Sequence, residues 1–195
     1  MRYEKGRKDS SRLRILEIAA QKFRADGIAA TGLAGIMSDA GLTNGAFYPH
    51  FKSKAALVGE SVATALQEQS DQIGEVLAAG GPNLVINMYL SAEHRDNPGK
   101  GCASSALLPE LGREPRETRH LYTEHVLPVV RQLADQLDPK LPDREGTAIA
   151  MFATLIGTLQ LARAVDSADL SDRILAAGAA AARAIVQTPP GDMPA

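Results

Sequence analysis

Residues 31–54, TGLAGIMSDAGLTNGAFYPHFKSK, constrain this chain more than any other stretch. Two short apolar-patterned segments, 33–40 and 44–51, are joined by Gly41-Leu42-Thr43, the glycine-containing link of a helix-turn-helix. Leu33, Ile36 and Met37 recur at i, i+3 and i+4, so one face of the first segment packs inward. Phe47 and Phe51, four residues apart, anchor the second segment to the same core. A hydroxyl stands before each expected helix: Thr31 for the first, Thr43 for the second and Ser53 for a third. Such an oxygen accepts a hydrogen bond from an otherwise unpaired first-turn amide, so all three are expected caps. Gly45 and Ala46 leave little bulk, which lets a helix backbone approach the floor of a major groove. Thr43, Asn44, Tyr48, His50, Lys52 and Lys54 then face out, carrying the hydroxyl, amide, imidazole and ammonium groups that bond phosphate oxygens and base edges. With Thr31, Gly45 and Ala46 they form the expected DNA-contacting set. Pro49 removes an amide donor and disfavours a helical Tyr48, so the second helix is expected to end early or tighten there.

The pattern T-x-L-x-x-I-x-x-x-A-G-L-x-x-G-x-F-Y-x-H-F-x-S-K resembles the DNA-binding signature of the TetR family of bacterial transcriptional repressors, running over more than twenty positions without a gap. The resemblance implies a dimer on a palindromic operator, released by a small-molecule effector; the residues themselves show no pattern for catalysis, a metal or a cofactor. It also implies that the long third helix is the lever by which an effector tilts the DNA-reading helices.

Charge distribution points the same way. Residues 1–54 hold ten Lys or Arg against five Asp or Glu, and the remainder holds eleven against eighteen. A basic head on an acidic body fits a nucleic-acid reader with a separate controlling domain. Abundant Ala and Leu, with no strand-like alternation, give an all-α fold of about nine helices. The expected domains are 1–53, a three-helix helix-turn-helix domain with a basic N-terminal arm; 54–187, a helical effector-binding and dimerisation domain; and 188–195, a flexible tail. A single cysteine fits a reducing compartment, residues 1–14 do not read as a signal peptide, and the charge-free stretch 146–162 is short for a membrane span. A cytoplasmic protein with no membrane partner is expected.

Arg2, Lys5, Arg7, Lys8, Arg12 and Arg14 make the arm, expected to be disordered until it meets an anion. A helix from 9 or 10 to Gly27 follows, with Leu13, Leu16, Ala20 and Phe23 on its inward face. The third helix runs from Ser53 to about Ala79 and ends at Gly80-Gly81-Pro82; Pro82 opens the next helix, to about Ser91. Residues 94–101 read as a loop, 102–111 as a short helix, and 114–137 as a longer one in which Pro128 predicts a kink. Two helices, 143–165 and 171–187, close the chain. Their stripe of Ile149, Phe152, Ile156 and Leu159 against Ala176, Ala177, Ala180 and Ala184 is the expected partner interface of a homodimer.

Helices between 84 and 165 carry more apolar side chains with polar tips than a small bundle core needs. The expected effector pocket draws on Met88, Tyr89, Cys102, Leu107, Tyr122, Met151 and Phe152. Cys102 follows Lys100 and Gly101 at a helix start, where positive charge and the helix dipole favour a thiolate. The Gly-Cys start also resembles the sixth helix of one family branch with electrophile-responsive members, so a thiol-based sensor is the alternative function. A thiol enzyme pairing Cys102 with His94 or His120 lacks an oxyanion donor and an orienting group, and a DNA-independent ligand-binding helical module is disfavoured by the basic head. His120 and His125, five apart on a helix, diverge by roughly 140° and make no metal pair.

Overall fold

A computed structural model describes residues 2–187, with side chains from residue 9 onward. The expected tail at 188–195 lies outside the described residues. Regular structure among them is entirely helical: eight α-helices and two single 3-10 turns. They form two compact units, one built from the chain up to Glu68 with Pro98–Tyr122, the other from Gln69–Asn97 with the chain from Thr123 onward.

In the first unit, α1 (Arg2–Asp26) buries Ile15, Leu16, Ala19, Ala20 and Phe23 at three- and four-residue spacing. The expected arm is therefore helical in its backbone, since nothing in 2–8 breaks the register. Leu13 is 59 % exposed and leaves the expected inward face, being two residues out of phase with Ile15. Gly27 ends α1 at φ 86°, its amide donating back to the Phe23 carbonyl at 2.9 Å. After α2 (Leu33–Asp39), Gly41 at φ 69° places its own amide on Ser38 O and that of Leu42 on Met37 O, both at 2.9 Å. That is a Schellman stop, which needs a residue without a Cβ penalty at positive φ.

The second expected helix is instead one 3-10 turn, Asn44–Ala46, followed by a non-helical turn through Pro49 to Phe51. Pro49 lacks the amide a continuing helix would use. Helix α3 (Lys54–Tyr89) starts at an observed Ser53 cap, with Ala56 N–H donating to Ser53 Oγ at 3.1 Å, and is broken at Gly80 and Gly81. Gly81, at φ 67° and ψ −165°, occupies a region essentially closed to other residues, and Pro82 restarts the helix. The same unit contains the 3-10 turn Pro98–Lys100 and α5 (Ala103–Leu111), whose Ala103, Leu107 and Leu111 join the core of α1, α2 and α3.

The second unit holds α4 (Ala92–Asp96) and most of α6 (Arg116–Asp135), with α7 (Arg144–Ala164) and α8 (Ala168–Gln187). Part of the loop expected at 94–101 is thus helical, because Ser91 Oγ accepts from His94 N at 3.1 Å and caps α4. Helices α7 and α8 come together where Gly178 meets Thr158; a Cβ on Gly178 would lie 2.2 Å from both branch atoms of that threonine. Polar ties bind α4 to the pair: Arg163 donates to the carbonyls of His94 at 2.6 Å and Arg95 at 3.0 Å, and Arg95 donates to Asp172 at 2.6 Å and Ser171 at 3.0 Å. Phe152, Ile156 and Leu159, expected at a partner interface, are 5, 8 and 0 % exposed in the single chain. Their i, i+4, i+7 face packs into the chain's own core. The outer side of α7 carries Ile149, Ala153, Gly157 and Leu161 instead, and Ala176, Ala177, Ala180 and Ala184 of α8 are exposed in the single chain. Helix α7 is also the one described helix long and apolar enough to cross a membrane, and its Met151, Leu155 and Leu159 are fully buried within the chain.

Candidate nucleic-acid interface

The outward row of the first unit is seated from below by aromatics. Phe47 and Phe51 are buried and stack at 5.6 Å, and the guanidinium of Arg12 lies 4.9 Å above the Phe51 ring. Arg12 also pairs with Glu60 of α3, so this cation, expected in the arm, holds α1, the reading turn and α3 together. Burying each phenylalanine contributes about 1.5–3 kcal/mol, enough to anchor a turn with few backbone hydrogen bonds of its own. Above this floor Thr43, Asn44, Gly45, Tyr48 and Lys52 are exposed, Tyr48 at 73 %, while Ala46 and His50 are half-buried. Tyr48 meets the edge of Phe47 at 5.4 Å, fixing the ring's base and leaving its hydroxyl outward. Thr43 precedes the 3-10 turn without a side-chain capping bond, so its hydroxyl remains on the surface and not in the cap expected of it.

Two expected DNA contacts do other work. Thr31 is buried and does not cap α2, whose N-cap is Gly32; its hydroxyl donates to Gly27 O at 2.7 Å. Lys54 Nζ donates to the Ile28 carbonyl at 2.8 Å. The Glu110 carboxylate of α5 accepts from Ile28 N at 3.2 Å and Ala29 N at 3.0 Å. The loop joining α1 to α2 has no ladder to satisfy its backbone, and these three side chains supply the partners. Gly27 leaves room for the clamp, since a Cβ there would stand 3.2 Å from Glu110 Oε2. Arg24 adds a second tie, donating to Gly99 O at 2.8 Å; burial lowers its pKa, opposed by Glu68. Lys22 and Asp39 pair at 2.7 Å across α1 and α2.

Glu110 was not legible as a site residue. It lies 81 residues from Ala29, and a carboxylate near the end of a helix carries no local signal of its target. The expected effector residues divide between the units: Cys102, Leu107 and Tyr122 in the first, Met88, Tyr89, Met151 and Phe152 in the second. Tyr89 and Phe152 meet edge-on at 6.4 Å. Tyr122 bonds Ser104 at 3.0 Å, its pKa raised by burial. Cys102 is 5 % exposed and caps α5, accepting from Ser105 N at 3.5 Å. A cleft of 370 Å³ in the first unit is lined by Lys54, Glu110, Arg113 and Glu114 among others, and by none of the seven.

The sequence model of "Bacterial regulatory proteins, tetR family" matches residues 15–60, the span of this core and its exposed row. Over those residues the chain is similar to the tetR family. The chain is also similar to the HTH-type transcriptional repressor KstR2 of Rhodococcus jostii (strain RHA1), 34 % identical over 73 residues, which are 37 % of this chain and 36 % of that protein. The chain thus spans about a third of the length of the curated relatives it matches. In fold the chain resembles solved structures over nearly its whole length. The reduced form of NemR from E. coli superposes with a TM-score of 0.76 at 18 % identity, covering 93 % of this chain and 100 % of that one. FadR of Bacillus subtilis, solved in complex with stearoyl-CoA, gives 0.66 at 16 % identity, covering 90 % and 97 %.

Proposed function

We propose that this chain is a ligand-responsive transcriptional regulator, a repressor that binds a palindromic operator as a homodimer and is released by a small-molecule effector. The observation that carries the reading is the exposed row from Thr43 to Lys52, polar and small, held on a phenylalanine floor inside a tetR-type head. Residues 1–53 read DNA and residues 54–187 hold the effector and the partner subunit. The protein works in the cytoplasm as a regulator, not as an enzyme, with no cofactor or membrane partner. KstR2 is itself a repressor and FadR binds stearoyl-CoA, which supports the repressing and ligand-responsive halves of the reading.

The dimer contact falls on the outer side of α7 and α8. Ile149 and Leu161 are 51 and 56 % exposed, and with Ala153 and Gly157 between them they form an i, i+4 ridge beside the alanines of α8. Small side chains let two such helix pairs approach closely around a two-fold axis. A sensing role for Cys102 is the weaker reading, because a buried capping sulfur gives an electrophile little access.

Selection of duplexes from a random pool by purified protein tests the reading. The expected product is a palindrome with half-sites about 34 Å apart, or a multiple of that. Tyr48→Ala and His50→Ala should weaken binding while leaving the fold intact. Failure to select any sequence at low salt overturns the proposal.

A further inference from the structure

The inward face of α3 carries polar side chains where its packing pattern calls for apolar ones. Its buried positions include Val62, Leu66, Gln69, Ser70, Ile73 and Leu77, the three- and four-residue spacing of a core stripe, and Gln69 and Ser70 fill two of those slots. Ser70 is engaged, its Oγ accepting from Gln132 Nε2 of α6 at 3.2 Å. Gln69 is 8 % exposed, and neither its Nε2 nor its Oε1 meets a hydrogen-bond partner among the described residues. Gln132 Oε1 is in the same condition. That oxygen lies against α3 beside Gly74, where a Cβ would come to 3.6 Å. Buried polar groups are almost always paired, and a leucine of similar volume would fill the slot with nothing left unpaired. Packing therefore does not account for an amide here.

We propose that Gln69, with Gln132, is the polar anchor of the effector site in the second unit, and that the effector is an uncharged, mostly apolar molecule bearing a neutral hydroxyl, carbonyl or carboxamide group. The inference rests on the ligand-responsive reading above. A carboxamide donates through Nε2 and accepts through Oε1, so it complements a neutral group able to do both, and Gln132 Oε1 offers one further acceptor. The polar residues buried on this face of α3, Gln69 and Ser70, are neutral, and an ionic head group brought against them would lose its hydration for uncharged partners. Neighbouring inward positions on the two helices, Ile73, Val129 and Leu133, are apolar and suit the body of such a molecule.

The test uses the full chain and two variants, Gln69→Leu and Gln69→Met, with probes sharing one apolar body: para-butylphenol and para-butylbenzamide against para-butylbenzoate and para-butylbenzylammonium. Thermal unfolding without probe should find both variants at least as stable as wild type. Calorimetry should find that the neutral probes bind wild type, lose at least about tenfold in affinity in both variants, and outcompete the charged probes by a similar factor. The inference is overturned if both variants unfold at lower temperature, which would make the amide a structural group satisfied by solvent. It is also overturned if wild type binds no neutral probe, binds the charged ones as well, or binds neutral probes no better than the variants do. Operator selection by wild type without probe separates the two levels. Intact DNA binding with any of those results rejects only this site, whereas no DNA selection rejects the regulator reading.

Discussion

Replacing Glu110 by alanine removes the acceptor of two consecutive backbone amides, Ile28 N at 3.2 Å and Ala29 N at 3.0 Å. A hydrogen bond to a charged group contributes about 1.5–3 kcal/mol when the donor is otherwise left dry, and less where water replaces the partner. The Ile28 bond is part-buried and the Ala29 bond exposed, so we assign about 1.5 kcal/mol to the first and about 0.5 kcal/mol to the second. For a chain of this length each kcal/mol moves Tm by about 2–4 °C, and Glu110→Ala is expected to melt about 4–8 °C below wild type. Glu110→Gln keeps one acceptor but turns an amide nitrogen toward the other donor, so about half that loss is expected. The clamped loop also sets the entry of α2, on which the reading turn rests. Operator affinity should therefore fall by up to about tenfold, the equivalent of 1.4 kcal/mol. Differential scanning calorimetry and a fluorescence binding titration, with Glu117→Ala as a surface control, measure both quantities. If Glu110→Ala melts within about 1 °C of wild type and binds DNA equally well, the clamp contributes nothing and the argument from backbone satisfaction fails.

Lys52→Ala should flatten the logarithmic salt dependence of DNA binding by about one unit, as a lost phosphate contact does, whereas Lys54→Ala should leave the slope unchanged and lower Tm, because its ammonium is spent on Ile28 O; equal slopes for the two variants would contradict the clamp. Gly178→Ala would gain about 0.5–1 kcal/mol of helix propensity, but the Thr158 side chain 2.2 Å away must move at a cost of about 1–3 kcal/mol, so net destabilisation is expected in urea unfolding and a more stable variant would refute the close packing of α7 and α8. Burial, aided by Arg163 and opposed by the hydrogen bond to Tyr89 O, holds the His94 pKa below its ordinary 6.5. The unfolded chain therefore takes up the proton first, and stability is complete above about pH 6.5 and declines as pH falls toward the folded pKa. His94→Gln should remove that decline from the Tm–pH profile, and identical profiles would show that His94 does not cause it.

Much of the local architecture could be read from residue order alone, because it depends on groups within one turn of each other. Gly27 and Gly41 as stops, the break at Gly80-Gly81-Pro82, the Ser53 cap and the inward spacing of Ile36 and Met37 are of this kind. So is Pro49, whose missing amide explains why the second helix shortens to a 3-10 turn. Tertiary structure alone decided where long polar side chains spend their donors and acceptors. Thr31 and Lys54 read as contacts for DNA and Arg12 as part of a basic arm, yet each reaches a ring, carboxylate or carbonyl of the protein itself, and Glu110 arrives from 81 residues away. The faces of α7 followed the same rule. A helix's apolar period is identical whether it faces its own core or a second copy, and only tertiary packing, in which Phe152 meets Tyr89 of α3, put Phe152, Ile156 and Leu159 inside and left Ile149 and Leu161 outside.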